Sequence, residues 1–192
     1  MTRRTLLALL APASPLGAQT APRFGEPGAG RFLVARRELP DPNFAESVVL
    51  LTSYARGGAM GVIVNRSSEV RVSRLLPKVK SAATLFEGGP VSRGSAIVLA
   101  RLKSPPEGAV QVISDVHLLA DQAFLEKTLN AGSGADVIRV YLGYAGWSPG
   151  QLDKEISIGS WHILPATPPL IFDAQPDTLY ERLMRRTDTR IA

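Results

Sequence analysis

Proton transfer and metal binding in this chain would have to come from seventeen carboxylates and two histidines, since there is no cysteine. His117 and His162 each lack a second ligand at helical spacing, and no HExxH is present. A zinc or other transition-metal centre is therefore not expected. The missing thiols also remove cysteine nucleophiles, disulfides and iron–sulfur ligation. Paired carboxylates could run acid–base chemistry or hold Mg²⁺. Asp153 and Glu155 come nearest, on one predicted helix, but two residues apart they point to different faces. Asp41, Glu46 and Glu87 flank turns. Neither a G-x-S-x-G elbow nor Ser-x-x-Lys occurs, and "GGAMG" at 57–61 lacks the Lys and Ser/Thr of a phosphate loop. No catalytic residue, metal or cofactor is assigned.

What remains is a set of polar and aromatic residues at turns. Asp41, Asn43, Asn65, Arg66, Tyr144, Trp147 and Gln151 all fall at strand ends or beside glycines. Side chains on loops held by a rigid sheet are where binding concentrates. Each also has a plain structural use: Asp41 and Gln151 can cap, Asn65 can support a turn, and Trp147 can fill a corner. For Gln151 and Trp147 the structural use ranks first.

The elements that must position these residues follow from hydrophobic pattern. "RFLVAR" (31–36) predicts a first strand, and "SVVLLTS" (47–53) with "AMGVIVNR" (59–66) predicts a hairpin. That pair is apolar on both faces, which places it centrally. "VSRLLPKV" offers a short helical turn stopped by Pro77, and "TLFEGGPV" (84–91) a strand ending in a Gly-Gly-Pro turn. "SAIVLARL" (95–102) and "AVQVISD" (109–115) predict a second hairpin around "KSPPEG". "LLADQAFLEKTLNAGSG" reads as a helix with Leu118, Leu125 and Leu129 on one stripe and Gly132 as its stop. "DVIRVYLGYAGW" (136–147) is another strand. Ser148, Pro149 and Gln151 then stand as N-cap, N1 and N3 of a helix reaching about Ser157, with Leu152 and Ile156 toward the core and Gly159 as its end. "SWHILPA" and "PLIFDA" predict two more strands. A last helix begins at Asp177, with Leu179/Leu183 and Tyr180/Met184 as i,i+4 pairs. The result is about seven strands and three or four short helices without βαβ alternation. It predicts an α+β domain around a curved, mostly antiparallel sheet.

At 192 residues, with 45% hydrophobic and 20% charged content, the chain suits one globular domain. The segment 1–18 carries Arg3 and Arg4, an apolar run from Leu6 to Leu16, and small residues ending at Ala18. That is the order of a secretory signal, and T-R-R-T-L-L resembles a twin-arginine leader. Export is the expectation. Residues 19–30 read as a Gly/Pro/Ala-rich linker and 31–192 as the domain; no apolar run reaches the length a spanning helix needs. The formal charge of +5 rests partly on the two leader arginines. The one dense basic cluster is Arg182, Arg185, Arg186 and Arg190, at a helix end that favours cations.

"LPDPNFAESVVLL", "GAMGVIVNR", "EGGPV" and "LGYAGWSPGQLDKEI", with Trp161 beyond, resemble the YqgE/AlgH family, colinear from Phe32 to Phe172. The resemblance implies a bifurcated sheet curled into a pseudo-barrel with helices packed outside. It supplies no established reaction and no catalytic residues. One branch is named for a proposed regulatory role in alginate production, and nucleic-acid binding has been suggested without a defined site. Two positions depart from the family: Tyr54 stands where relatives commonly have His, and Asn65-Arg66-Ser67 where they often have NRP. Relatives are usually cytosolic, which an export leader would contradict.

The leading reading is a non-enzymatic binding or regulatory protein with no partner named by the sequence. Its candidate face comprises the Asp41–Asn43 turn, Asn65-Arg66, the Gly88-Gly89-Pro90 turn and the Tyr144–Trp147 corner. A nucleic-acid-binding regulator requires a cytosolic location and salt-sensitive affinity. An envelope hydrolase requires export and a cleft with a paired carboxylate of perturbed pKa.

Overall fold

The computed structural model describes residues 25–188. The leader 1–18, linker residues 19–24 and Arg190 lie outside the described residues; 25–30 hold turns without helix or strand. Strands β1 (Arg31–Ala35), β2 (Val48–Ala55) and β3 (Gly58–Ile63) form an antiparallel meander in which Phe32, Leu33, Val48, Leu50, Val62 and Ile63 are wholly buried. Runs this apolar can exist only where both faces of the sheet are covered. Each such side chain adds about 1.5–3 kcal/mol of burial.

Beyond β3 come β4 (Ser67–Arg71), β5 (Thr84–Glu87), β6 (Val91–Arg101), β7 (Val110–Ile113), β8 (Val116–Leu119) and α1 (Gln122–Asn130). The chain continues through β9 (Ile138–Trp147), α2 (Gln151–Ser157), β10 (Trp161–Pro165), α3 (Pro168–Ile171) and α4 (Leu179–Asp188). The sheet runs β10-β1-β2-β3-β9-β6-β8-β7, with β5 added to β9 and β4 to β5. All its pairings are antiparallel except β5 with β9. It curls into a half-barrel with short helices packed on it, so the α+β expectation holds.

The bifurcation lies along β9. One edge of β9 pairs with β6 from Ile138 to Leu142. On the other edge, Val140–Leu142 pair with β5, whereas Ala145–Trp147 pair with β3. Where one partner is exchanged for the other, Gly88 bridges them: its N–H donates to the Leu142 carbonyl at 2.7 Å, and its carbonyl accepts from the Ile63 N–H at 2.9 Å. The backbones cross here too closely for side chains. A Cβ on Gly88 would meet the Gly143 carbonyl oxygen at 2.3 Å, and one on Gly89 would meet the Tyr144 carbonyl carbon at 2.3 Å. Gly89 (φ 148°) and Gly143 (φ 71°) also occupy positive φ.

Two core clusters flank the fork. The larger gathers β1–β3, β10, α2, α3 and α4, including Trp147, Leu152, Trp161 and Leu183. The smaller collects Val72, Leu76, Val79, Leu125, Leu129, Ile138 and Val140 around α1.

Several expectations are corrected. The strands number ten among the described residues, where about seven were expected. The segments 95–102 and 109–115 do not form a hairpin: β6 pairs with β8 and β9, and β7 turns tightly into β8 through Ser114-Asp115. Ser114 takes a positive φ of 49° without the glycine that usually announces such a turn. Leu118 therefore belongs to β8, not to the helix, which starts after Asp121, whose carboxylate caps the Phe124 N–H at 3.0 Å. "PLIFDA" is no strand: Thr167 and two prolines open the one-turn α3. Ser148 is no N-cap either. Ser148-Pro149-Gly150-Gln151 is a β-turn, closed by the Gln151 N–H to the Ser148 carbonyl at 3.0 Å, with Gly150 at φ 73°, ψ −7°. Pro then Gly at its centre suits type II. Helix α2 starts after it, and its end is a Schellman motif: Gly159 N–H bonds to Ile156 and Ser160 N–H to Glu155, both at 2.9 Å. The final helix begins at Leu179 after a 3₁₀ turn over Pro176–Thr178.

The fork sets the first prediction. Gly88→Ala should cost about 3 kcal/mol, because the obstructing atoms are backbone. Gly94→Ala meets nothing within 4 Å and should stay within about 0.5 kcal/mol of the parent. Urea unfolding of the two variants checks this; equal losses would remove the crossing as the constraint.

Candidate functional site

Asp41 organises the loop between β1 and β2. Its Oδ1 accepts from the Asn43 backbone N–H at 2.8 Å and the Asn43 side-chain amide at 3.0 Å, while its carbonyl accepts from the Phe44 N–H. This is an Asx-turn. Two residues that follow β3 fasten the loop from the other side. Buried Asn65 accepts from the Val48 N–H at 2.7 Å and donates to the Glu46 carbonyl at 3.0 Å. Arg66 donates to the Asn43 and Ala45 carbonyls, both at 2.8 Å. Half-burial lowers the Arg66 pKa from its ordinary value; Glu87 opposes the shift and nearby Arg93 adds to it. Arg93 also reaches the Asn43 side-chain oxygen at 3.4 Å. Asp41, Asn43, Asn65 and Arg66 thus form one assembly, and Arg93 joins it.

Phe44 carries the loop onto an aromatic corner. It stacks on Trp147 with centroids 5.9 Å apart and meets Trp161 edge-on at 5.5 Å. The two indoles lie edge to face at 6.0 Å. One carboxylate oxygen of Glu155 accepts both indole N–H groups at 2.9 Å each, and the other accepts from the Gln151 amide at 3.0 Å. Gln151 also accepts from the Ser148 N–H at 3.1 Å. So Trp147 fills a corner as expected, whereas Gln151 opens α2 and braces the preceding turn instead of capping from N3, and it reaches the loop through Glu155, Trp147 and Phe44 rather than by touching Arg66.

Gly88, Gly89 and Pro90 lie at the fork against Gly143 and Tyr144, and Val91 pairs with Tyr144. They adjoin the loop assembly through the Glu87 N–H, which donates to the Arg66 carbonyl at 3.0 Å. Beside Arg66 opens a cleft of about 340 Å³ lined by Glu46, Asn65, Glu87, Asp177 and Glu181 among others. Among the described residues no group of three His, Asp or Glu side chains is arranged to hold a metal.

Sequence reasoning missed Phe44, Arg93, Trp161 and Glu155 as members of this region. Glu155 had a usable signal, one helical turn after Gln151 on a helix flanked by two tryptophans. Arg93 had none, because β6 breaks its register between Val91 and Ala96 and Ser92 takes φ 49°. Asp153 and Glu155 do face apart: Asp153 accepts the hydroxyl of Tyr54, which docks the β2–β3 hairpin onto α2.

A family model described as AlgH-like matches residues 32–192. A UPF0301 protein of Streptomyces avermitilis is 35% identical over 176 residues, covering 85% of this chain and 88% of its own. A UPF0301 protein of Methylococcus capsulatus is also 35% identical over 176 residues, covering 82% and 90%. The solution structure of the AlgH protein from Pseudomonas aeruginosa superposes with a TM-score of 0.69 at 30% identity, over 90% of this chain and 92% of that one. A crystal structure of a Corynebacterium diphtheriae protein gives 0.72 at 26% identity, over 85% and 89%.

The Tyr54 contact is testable through pH. The hydrogen bond to Asp153, then burial and the carboxylate's charge, raise the Tyr54 phenol to about 12. An unfolded chain releases that proton near 10.0, so the contact's contribution is full below that pH and is lost as pH rises through about 12. Tyr141, wholly buried, is also pushed up to about 12 by its burial. Phenolate absorbance against pH should show Asp153→Asn returning one tyrosine toward its ordinary value while Tyr141 stays high. An unchanged titration curve would refute the coupling.

Proposed function

This chain belongs to the AlgH-like family, and from that premise we propose that it is a non-enzymatic binding protein. Its recognition face is the loop 41–46 with Arg66, Arg93 and the Gly88–Val91 turn. One observation carries the reading. The polar side chains that looked available for chemistry are engaged in holding backbone: Asp41 holds the Asn43 N–H, Asn65 holds Val48 and Glu46, and Arg66 holds Asn43 and Ala45. A nucleophile or general base needs a free, poised group. A recognition surface needs the opposite, a loop fixed before its partner arrives.

Glu46, Glu87, Asp177 and Glu181 line the cleft beside Arg66, so an acidic partner with some apolar surface is received at the Arg93 and Val91 end of the face and not in that cleft. Two guanidinium groups, Arg66 and Arg93, converge on Asn43, and Val91 stays 36% exposed beside the half-buried Tyr144. Arg93 is exposed and can be reversed in charge without disturbing the core. Titration of isotope-labelled protein with acidic polysaccharides should shift amides of 41–46, 66 and 88–93. Arg93→Glu should weaken that binding about tenfold or more, a loss of about 1.4 kcal/mol. Shifts confined to other surfaces, or turnover of ester, glycoside or phosphoester substrates by the purified chain, would overturn the reading.

Export belongs to the same proposal, supported by the basic, apolar and small-residue order of residues 1–18. Fractionation of cells making the chain with a C-terminal tag should recover, outside the cytoplasm, a mature form beginning near Gln19. Full-length protein confined to the cytosol would refute export and return nucleic acid to the candidate partners.

A further inference from the structure

A cleft of about 580 Å³ is lined by residues at the entry to β9, the start of β4 and the loop joining α3 to α4. The volume is that of a small-molecule site. More than half of the residues lining it are polar. A wholly apolar guest would strip water from those groups without replacing its hydrogen bonds.

Charge narrows the ligand class. Arg139 is the buried cation of the lining, 3% exposed. Its Nε donates to the Ala135 carbonyl at 2.8 Å, and its terminal nitrogens donate to the carbonyls of Ile171 at 3.1 Å and Asp173 at 2.5 Å. The Phe86 and Phe172 rings lie near its guanidinium, with centres at 4.6 Å and 5.6 Å. With each nitrogen engaged, Arg139 offers no fork to an anion, and the carboxylates of Asp136 and Asp177 repel one. Arg139 forms no ion pair among the described residues, so its charge offsets part of the pull those carboxylates would exert on a cation. A neutral guest rich in hydroxyl groups meets neither obstacle.

The polar groups still available suit such a guest. Asp136 and Gln175 are exposed, and neither side chain makes a hydrogen bond or ion pair among the described residues. One oxygen of Asp177 accepts from the Ser67 hydroxyl at 2.8 Å, which leaves the other. A carboxylate can accept two neighbouring hydroxyls, and a primary amide both donates and accepts. Exposed Ala174 and half-buried Pro176 add a short apolar strip on which the C–H face of a ring can rest. We propose that this cleft binds a small neutral sugar, with its hydroxyls on Asp136, Gln175 and Asp177 and its C–H face along Ala174 and Pro176. The inference goes beyond the recognition face around Asn43 and Arg93 and uses none of its residues.

Isotope-labelled full-length chain should be titrated with methyl glucoside, methyl mannoside and methyl galactoside. At least one should give saturable shifts in the amides of 135–137, 174, 175, 177 and 178. Glucuronate and glucosamine, which add a charge of either sign to the same kind of ring, should bind no more tightly. Asp136→Ala and Gln175→Ala each remove an exposed side chain that bonds nothing else among the described residues. Both variants should keep the parental melting temperature and weaken binding about tenfold. Absence of saturable shifts with all three glycosides, tighter binding of either charged sugar, or parental affinity in either variant would each overturn the site.

Discussion

Everything in this fold depends on three backbone segments passing through one point without side chains. Gly88 and Gly89 cross Gly143 so closely that main-chain atoms occupy the space a methyl group would need. This contact lets β9 exchange β5 for β3 along the same edge. Without it the sheet would have to end or stay flat. With it, two cores are attached to one strand, and the loops on the larger one are held at fixed distances from the crossing.

The recognition face is built on that arrangement in layers. Asn65 and Arg66 leave β3 two residues beyond the Ile63 contact with Gly88, so their position is set by the crossing. They in turn set the loop 43–46, and Phe44 passes the constraint to Trp147 and Trp161. Glu155 closes the chain by taking both indole N–H groups on one oxygen. Asn65 and Glu155 satisfy the Val48 N–H and the two indole N–H groups, which would otherwise be buried without a partner. The loop has a single conformation for reasons that lie in the fold.

The sequence disclosed what local rules govern. The apolar runs of β1 to β3, the presence of α1, α2 and α4 and the Gly159 stop are legible from residue type and period, but the helix starts are not: Asp121 and Gly150 cap where other residues were expected. The shared neighbourhood of Asp41, Asn43, Asn65 and Arg66 was guessed from their turn positions, and contacts across the loop bear out their proximity. Long-range pairing was not legible. Nothing in "SAIVLARL" says that β9 and β8, rather than β7, lie beside it, because a strand's partners are chosen by the whole sheet. The β7–β8 turn lacked a glycine, and Leu118-Leu119 continued smoothly into a helical pattern.

The placement of β9 late in the chain has a consequence for synthesis. As the polypeptide emerges from the ribosome, β2 can pair with β3, β4 with β5, and β6 with β8, but β3, β5 and β6 must wait for residues 138–147 to gain their neighbour in β9. Strand β1 waits longer for its second neighbour, since Arg31 pairs with Pro165. Three hairpin-like pieces therefore keep an open edge until Trp147 has been made, and both halves then close on the same strand. Until that strand arrives, those edges are exposed to whatever holds unfolded chains in the cell.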